Sequence, residues 1–343
     1  MKTHRNTLYV TTQGTYLCVE RENLVARLNS ETVGRFPLHM LEGIVCFGNV
    51  AMSPFLMGRA SERGIGISFL SERGRFLARV VGEASGNVLL RREQFKRAED
   101  EVAAAHLARA FVAGKVANAR SLLLRSLRDH PDAEGRQALR EAVHGLAGSL
   151  HNLQREPDLE ATRGIEGNAA RTYFQVFGNL IVTQRTGFPF TGRSRRPPLD
   201  RVNALLSFIY TLLIHDASSA VQVVGLDPQV GFLHRYRPGR PGLALDLVEE
   251  LRPLLGDRLG ITLINRRQVR ENGFEIRETG GVSMDEDTRK TVLKAYQERK
   301  QEEITHPFLN EKTTVGMVVH LQALLLARHL RGDLDAYPPF IPR

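Results

Sequence analysis

The chain has 343 residues, room for about two domains of usual size, and its 42% hydrophobic and 25% charged content is that of an ordinary folded protein. With only Cys18 and Cys46 and no CxxC pair, no thiolate zinc site is indicated and a reducing compartment fits. A formal net charge of +9, from 47 basic residues that are mostly Arg, makes a polyanion the first partner to consider, nucleic acid ahead of membrane.

The N-terminus MKTHRNTLYVTTQG lacks the apolar core of a signal peptide, and no run reaches the length of a membrane span. The expectation is a cytoplasmic protein with no membrane contact. Residues 1–82 read as short strands rich in β-branched and aromatic residues: Leu8–Thr12, Tyr16–Glu20, Leu24–Leu28, Thr32–Pro37, Gly43–Cys46, Ile65–Leu70 and Phe76–Val81. Turn signals such as Gln13-Gly14 and Arg73-Gly74 separate them. One helix, capped by Ser53 with Pro54 at its first position, runs to about Arg63. Near Gly82–Asn87 the periodicity changes from two to about 3.6 residues, which marks a domain boundary. Val88–Phe95 reads as a linker or a first helix turn.

Beyond it the chain is mostly helical. Ala98–Asp129 carries a long apolar pattern that includes Gly114-Lys115-Val116-Ala117-Asn118-Ala119-Arg120, and Ala133–Leu153 is a second helix between Pro131 and Pro157. In the third, about Asp158–Phe177, a projection at ~100° per residue puts Leu159, Ala170, Tyr173 and Phe177 on one stripe with Glu166 in its middle. A carboxylate on a packing face is costly unless paired, protonated or metal-bound. Either Glu166 meets an arginine such as Arg163 or Arg171, or it is a ligand, and Gly164 and Gly167 leave room beside it. The loop RTGFPFTGRSRRPPLDR (185–201) sets Phe188 and Phe190 among Arg185, Arg193, Arg195, Arg196 and Arg201. Such a segment either tracks a nucleic-acid backbone or is a flexible solvated loop. Asp200 caps an apolar helix that His215 ends.

The densest chemistry lies in GLDPQVGFLHRYRPGRPGLALDLVEE (225–250). His234 is followed by Arg235, Arg237 and Arg240 in a Pro/Gly-broken loop, and a helix starts near Leu243. Its apolar face holds Leu247, Val248, Leu251, Leu254 and Leu255, with Asp246, Glu249 and Glu250 clustered opposite. The pattern suits a metal held by carboxylate and imidazole with guanidinium groups beside it for phosphate, or else a solvated acidic face with arginine partners. Further on, Phe274–Ile276 and Val282–Met284 read as a hairpin around Thr279-Gly280-Gly281. Helices follow from Asp285 or Asp287 to Gln301 and from Lys312 to His329, and the tail DAYPPFIPR is Pro-rich. There is no GxxxxGK[ST], HExxH or GxSxG motif and no dinucleotide fingerprint. The expected fold class is α+β: a small β-rich N-terminal domain (1–87) followed by a larger all-helical domain (88–343).

GIEGNAARTYF (164–174), LLSFIYTLL (205–213), GLDPQVGFLH (225–234) and LALDLVEELRP (243–253), in this order, resemble the universal CRISPR-associated spacer integrase of the adaptation stage. The likeness covers essentially the whole chain, and the length and N-terminal segment look most like the subtype I-C branch. It implies a metal-dependent DNA integrase and endonuclease that inserts short DNA fragments into the CRISPR array by 3′-hydroxyl transesterification, with Mg²⁺ or Mn²⁺ as cofactor. By motif position the ligands and catalytic residues are Glu166, His234 and Glu249, with Asp246 as a supporting acid and the rival third ligand. Arg235, Arg237, Arg240, Arg193, Arg195 and Arg196 are the expected DNA contacts. The resemblance further implies double-stranded DNA partners (spacer precursor and CRISPR repeat or leader), a homodimer formed through the β-rich domain, and a small ferredoxin-like adaptation partner. A structure-specific metal-dependent repair nuclease and a non-catalytic DNA-binding scaffold are the other readings.

Overall fold

The computed structural model describes residues 6–72, 76–82, 88–132, 134–278 and 280–342. The turn expected at Arg73-Gly74, the pattern change over 83–87, and Ala133 and Thr279 lie outside them. The chain divides into two compact units, Met1–Gly86 and Asn87–Arg343.

In the first unit the β-branched runs form two four-stranded sheets. One is ordered β1 (Asn6–Val10), β5 (Leu41–Phe47), β7 (Gly66–Leu70), β8 (Phe76–Val80), parallel except for the last pair. The other is ordered β4 (Glu31–Pro37), β3 (Asn23–Leu28), β2 (Tyr16–Glu20), β6 (Ala51–Met52), antiparallel except for β2 with β6. Helix α1 (Pro54–Glu62) begins as the sequence indicates: Ser53 Oγ accepts from the Leu56 N–H at 3.2 Å and Pro54 needs no partner for a missing N–H. It packs on β2 and β7, and Leu17, Leu24, Ile44, Leu56, Ala60 and Ile67 make the core beneath it.

The second unit starts with a full helix, α2 (Val88–Glu99), where the sequence left a linker or a first helix turn open. Asp100 separates it from α3 (Glu101–Asp129) because its carboxylate accepts from the Val102 and Ala103 N–H groups and so caps a new helix. Around α3 pack α4 (Arg136–Leu153), α5 (Leu159–Val176) and α7 (Gly242–Leu251). At Gly114 a Cβ would stand 2.8 Å from Glu250 Cβ, so glycine sets the close approach of α3 to α7. The sequence ends the next helix at His215, but α6 runs over Arg201–Val223, because the small and apolar Ala217, Ala220 and Val221 are buried and carry it on. By length and composition α6 could cross a membrane, contrary to the sequence expectation, yet most of it is buried inside the protein. The unit is not purely helical. After α8 (Arg258–Asn265), β9 (Phe274–Ile276) pairs with β10 (Val282–Met284). After α9 (Glu286–Gln301), β11 (Glu303–Thr305) pairs with β12 (Lys312–Thr314), which leads into α10 (Val315–Leu330).

The Pro-rich tail folds back into this core, burying Tyr337 and Phe340. Glu250 is its anchor, accepting from the Phe340 N–H at 2.7 Å, from Gln322 Nε2 at 3.1 Å and from the Tyr337 hydroxyl. Asn118 of α3 ties the same point down, donating to the Glu250 and Phe340 carbonyls at 2.7 and 2.8 Å. Burial pushes the Glu250 carboxyl up to about 7 against the pull of its three donors. A folded-state pKa above the unfolded one means that the native state holds the extra proton. The contribution of Glu250 to stability is therefore present below the ordinary carboxyl value of 4.5 and lost as pH rises through about 7. Urea unfolding at pH 5 and pH 7.5 is expected to show this loss in the wild type and a smaller one in Glu250→Gln.

Candidate active site

Helix α7 is buried on every side. Asp246, Glu249 and Glu250 have relative exposures of 0%, 2% and 0%, so the acidic cluster is not a solvated face. Three adjacent buried acids need three separate sets of partners. Glu250 faces the tail, as described above, while Asp246 and Glu249 point to different parts of one site.

Asp246 receives the loop that carries His234. Its Oδ2 accepts from the Phe232 and Leu233 N–H groups at 2.6 and 3.0 Å, and its Oδ1 from the His234 N–H at 3.1 Å. The loop reaches it because Gly231 and Gly242 pass closely: a Cβ on Gly231 would stand 2.6 Å from the Gly242 carbonyl carbon and 2.7 Å from Asp246 Oδ2. Gln94 of α2 holds the other side, donating to the Asp227 and Val230 carbonyls at 2.8 Å. The same Asp246 Oδ1 lies 2.6 Å from His234 Nδ1. That contact assigns the proton to Nδ1 and leaves the Nε2 lone pair directed into the site, 3.8 Å from Glu249 Oε1.

Glu249 Oε1 accepts from Arg252 at 2.6 Å. Its Oε2 is buried and makes no hydrogen bond, although the Lys115 Nζ of α3 is 2.7 Å away. Lys115 also binds Glu166 of α5, so one ammonium bridges carboxylates from two helices. Burial alone would raise the Glu249 pKa, but the charges of Arg252 and Lys115 outweigh it and hold the carboxyl well below its usual range. Lys115, with burial acting against it, is in turn held protonated by Glu249 and Glu166. Glu166 pairs with this lysine and with neither Arg163 nor Arg171. Arg163 instead donates to the Leu233 carbonyl at 2.7 Å and binds Glu160. On α5 the buried positions are Thr162, Ala169, Tyr173 and Val176. Around Gly164 and Gly167 a Cβ would meet nothing within 4 Å, so the room the sequence suggested beside Glu166 is there.

Arg252 opens a π-helical turn, Arg252–Asp257, that follows α7; Pro253, lacking an N–H, interrupts the ordinary ladder there. The turn lets Arg252 reach back to Glu249 while its guanidinium lies 5.1 Å from the Tyr210 ring centroid. Tyr210 and Tyr173 both donate to buried Asp257, whose carboxyl burial pushes up to about 6.

The expected DNA contacts divide into two kinds. Arg193 turns inward: it donates to Asn203 Oδ1 at 2.5 Å and to the Ser194 carbonyl at 2.7 Å, and lies 5.1 Å from the Tyr210 centroid. Its Nη1 and Nη2 donors are spent on these loop and helix groups, so in this structure it braces the loop, while its buried Nε has no partner. Arg235 is exposed but ion-paired to Glu160 at 2.6 Å. Arg195, Arg196 and Arg237 are exposed and Arg240 is half-buried.

Sequence reasoning missed Lys115 and Arg252 as parts of the site. The signal for Lys115 was present: Lys115 and Asn118 stand one turn apart in a stretch otherwise small and apolar, and both are used by α7. Arg252 is aimed by the π-helical turn, which no local pattern announces. Among the described residues no three His, Cys, Asp or Glu side chains stand together as a formed metal cluster, since the ammonium separates Glu166 from Glu249.

A family model described as CRISPR associated protein Cas1 matches residues 8–298. The chain is 54% identical over 343 residues to the protein named CRISPR-associated endonuclease Cas1 1 of Chlorobaculum tepidum, covering 100% of both. Among solved structures it is similar to a casposase bound to integration product, with a TM-score of 0.83 and 21% identity over 98% of this chain and 95% of that one. It is also similar to a chain of a Cas6-RT-Cas1–Cas2 complex, with a TM-score of 0.82 and 22% identity over 99% of this chain and 36% of that one. These two structural likenesses establish the fold. The family match and the 54% identical relative establish that the chain belongs to the Cas1 family of CRISPR-associated proteins.

Proposed function

We propose that this Cas1-family chain is a divalent-metal-dependent DNA integrase that inserts short fragments into a CRISPR array by 3′-hydroxyl transesterification. Glu166, His234 and Glu249 are its metal ligands. The observation that carries this reading is that two carboxylates from different helices, Glu166 and Glu249, meet on one ammonium, with the His234 Nε2 of a third segment 3.8 Å from Glu249 Oε1. The donors fit a divalent ion. Glu249 Oε2 is buried with the Lys115 ammonium 2.7 Å away as its charge partner, His234 Nε2 has an uncommitted lone pair, and mixed oxygen and imidazole ligands suit Mn²⁺ or Mg²⁺. Asp246 is the weaker candidate for third ligand, because both its oxygens already accept hydrogen bonds from the His234 loop.

When bound, such an ion supplies Lewis acidity toward a phosphodiester. The chain's own residues orient and charge the site: Asp246 fixes the His234 ring, Arg252 fixes Glu249, and Arg237 and Arg240 offer phosphate contacts from the loop after His234. The endonuclease name of the 54% identical relative and the integration product in the casposase structure support a DNA substrate. The Cas1–Cas2 complex supports a Cas2-type partner for this chain; a homodimer through the β-rich unit, bridged by a small ferredoxin-like protein, rests on the family resemblance alone. Assignment to the I-C branch rests on length and the N-terminal segment.

The relative's name also favours a second reading, a nuclease in which water replaces the 3′-hydroxyl. One assay separates the two: labelled branched DNA with a free 3′-hydroxyl, incubated with Mn²⁺, with Mg²⁺ and with chelator. Metal-dependent joined product is expected; cleavage without joining would favour the nuclease. For DNA binding, Arg195→Ala combined with Arg196→Ala is expected to lower the slope of log affinity against log salt by about 2, near 0.9 for each lost phosphate contact. Fluorescence anisotropy over a salt series reads this directly, and an unchanged slope would place both arginines off the DNA path.

A further inference from the structure

We infer that Lys115 is the resident cation of the site, and that a divalent ion enters by displacing its ammonium rather than by filling an open cage. This rests on the metal reading above. Glu166 and Glu249 belong to different helices and share one partner, the Lys115 ammonium, which binds Glu166 and lies 2.7 Å from Glu249 Oε2. Without a positive charge between them two such carboxylates repel. The ammonium therefore holds α3, α5 and α7 together in the metal-free protein.

The two cations of the site are built for different tasks. Arg252 grips the other oxygen of Glu249 and is stacked on Tyr210, so it is fixed. Lys115 has as its ion-pair partners only these two carboxylates among the described residues, and it is a point charge on a flexible four-carbon stem, able to let go and swing. It also stands on the accessible side. Side-chain exposure is 27% at Glu166, 13% at Lys115 and 3% at Glu249, so the ammonium sits between the open acid and the closed one. An ion arriving from solvent meets Glu166 first and reaches Glu249 only where Lys115 now is. The open space beside Gly164 and Gly167 flanks the Glu166 end of this path. The exchange replaces one positive charge by two and frees an ammonium in a site whose substrate is a polyanion.

The test measures metal binding rather than turnover. Mn²⁺ is titrated calorimetrically into metal-stripped wild type, Lys115→Met and Glu166→Ala without DNA. Lys115→Met, which keeps the length of the side chain but removes its charge, is expected to bind Mn²⁺ about tenfold or more tightly than wild type, since a like charge beside the ion is gone. Glu166→Ala is expected to bind weakly. In parallel, wild type is labelled with an amine-reactive acetylating reagent and Lys115 is followed by mass spectrometry. Its labelling is expected to rise several-fold on Mn²⁺ saturation, and this arm decides alone if Lys115→Met does not fold. Equal Mn²⁺ affinity in wild type and Lys115→Met, or unchanged labelling at saturation, overturns the displacement while leaving the metal reading intact. Absence of Mn²⁺ binding in wild type and Lys115→Met alike overturns both.

Discussion

Glu249→Gln is expected to lower metal-dependent strand transfer on branched DNA by about a thousandfold, the scale on which removal of one preorganised charged group from a phosphoryl-transfer site acts. Glutamine preserves the shape of the side chain and an acceptor for Arg252, so a fold defect is not the expected cause. What it removes is the negative charge at Oε2, the buried oxygen that faces the Lys115 ammonium at 2.7 Å. It also leaves Arg252 and Lys115 facing one another without the carboxylate that both attract. Measured rates with Mn²⁺ under single-turnover conditions, beside a melting curve for each protein, separate the two effects. A rate within a few-fold of wild type would remove Glu249 from the reacting centre and return Asp246 as the third ligand.

Asp246 is expected to produce the largest effect on stability. Its carboxylate is fully buried and accepts from three consecutive backbone N–H groups, Phe232 to His234, and from the His234 ring. Asp246→Ala strands those donors inside the protein and is expected to cost about 3 kcal/mol or more, read from urea unfolding. Asp246→Asn keeps one acceptor and the volume, so it tests the role in the site. With the tautomer and angle of His234 no longer enforced, Mn²⁺ affinity is expected to fall about 10- to 100-fold, the usual scale for a group that orients a metal-binding histidine. If Asp246→Asn binds Mn²⁺ as tightly as wild type, then His234 does not depend on Asp246 for its orientation.

Comparison of these two neighbours explains where pattern reading stops. Both are acids on one helix face, three positions apart, and spacing alone gave no reason to choose between them; the family resemblance made Glu249 the ligand and Asp246 the supporting acid and rival. Which of them has an oxygen to spare depends on the Gly231–Gly242 crossing, which brings the His234 loop onto Asp246, and on Lys115 and Arg252, which arrive from α3 and from the turn after α7. Glu250 shows the same limit from the other side. Grouped with the other two by spacing, it serves the C-terminal tail, whose return to the core depends on Asn118 more than two hundred positions away in sequence. Arg193, Arg195 and Arg196 were equivalent as members of a basic loop, and partners such as Asn203, Ser207 and Tyr210 separate the inward one from the exposed pair.

Local patterns were enough for what local physics controls. Period-two runs gave seven strands of the first unit within a few residues and missed only the two-residue β6 (Ala51–Met52) among the described residues, too short to carry a pattern. Ser53 and Asp200 were correctly read as helix caps because a short polar side chain can satisfy only the N–H groups two or three residues ahead. The order of four motifs along the chain was enough to name the family that the comparisons then identified. The tertiary structure decided how charge is distributed at the site. An acid's neighbours in sequence set which face of a helix it occupies, but its proton affinity, its free oxygens and its capacity to hold an ion depend on cations and N–H groups supplied by other elements. Those distances follow from packing, and packing carries no period along the chain.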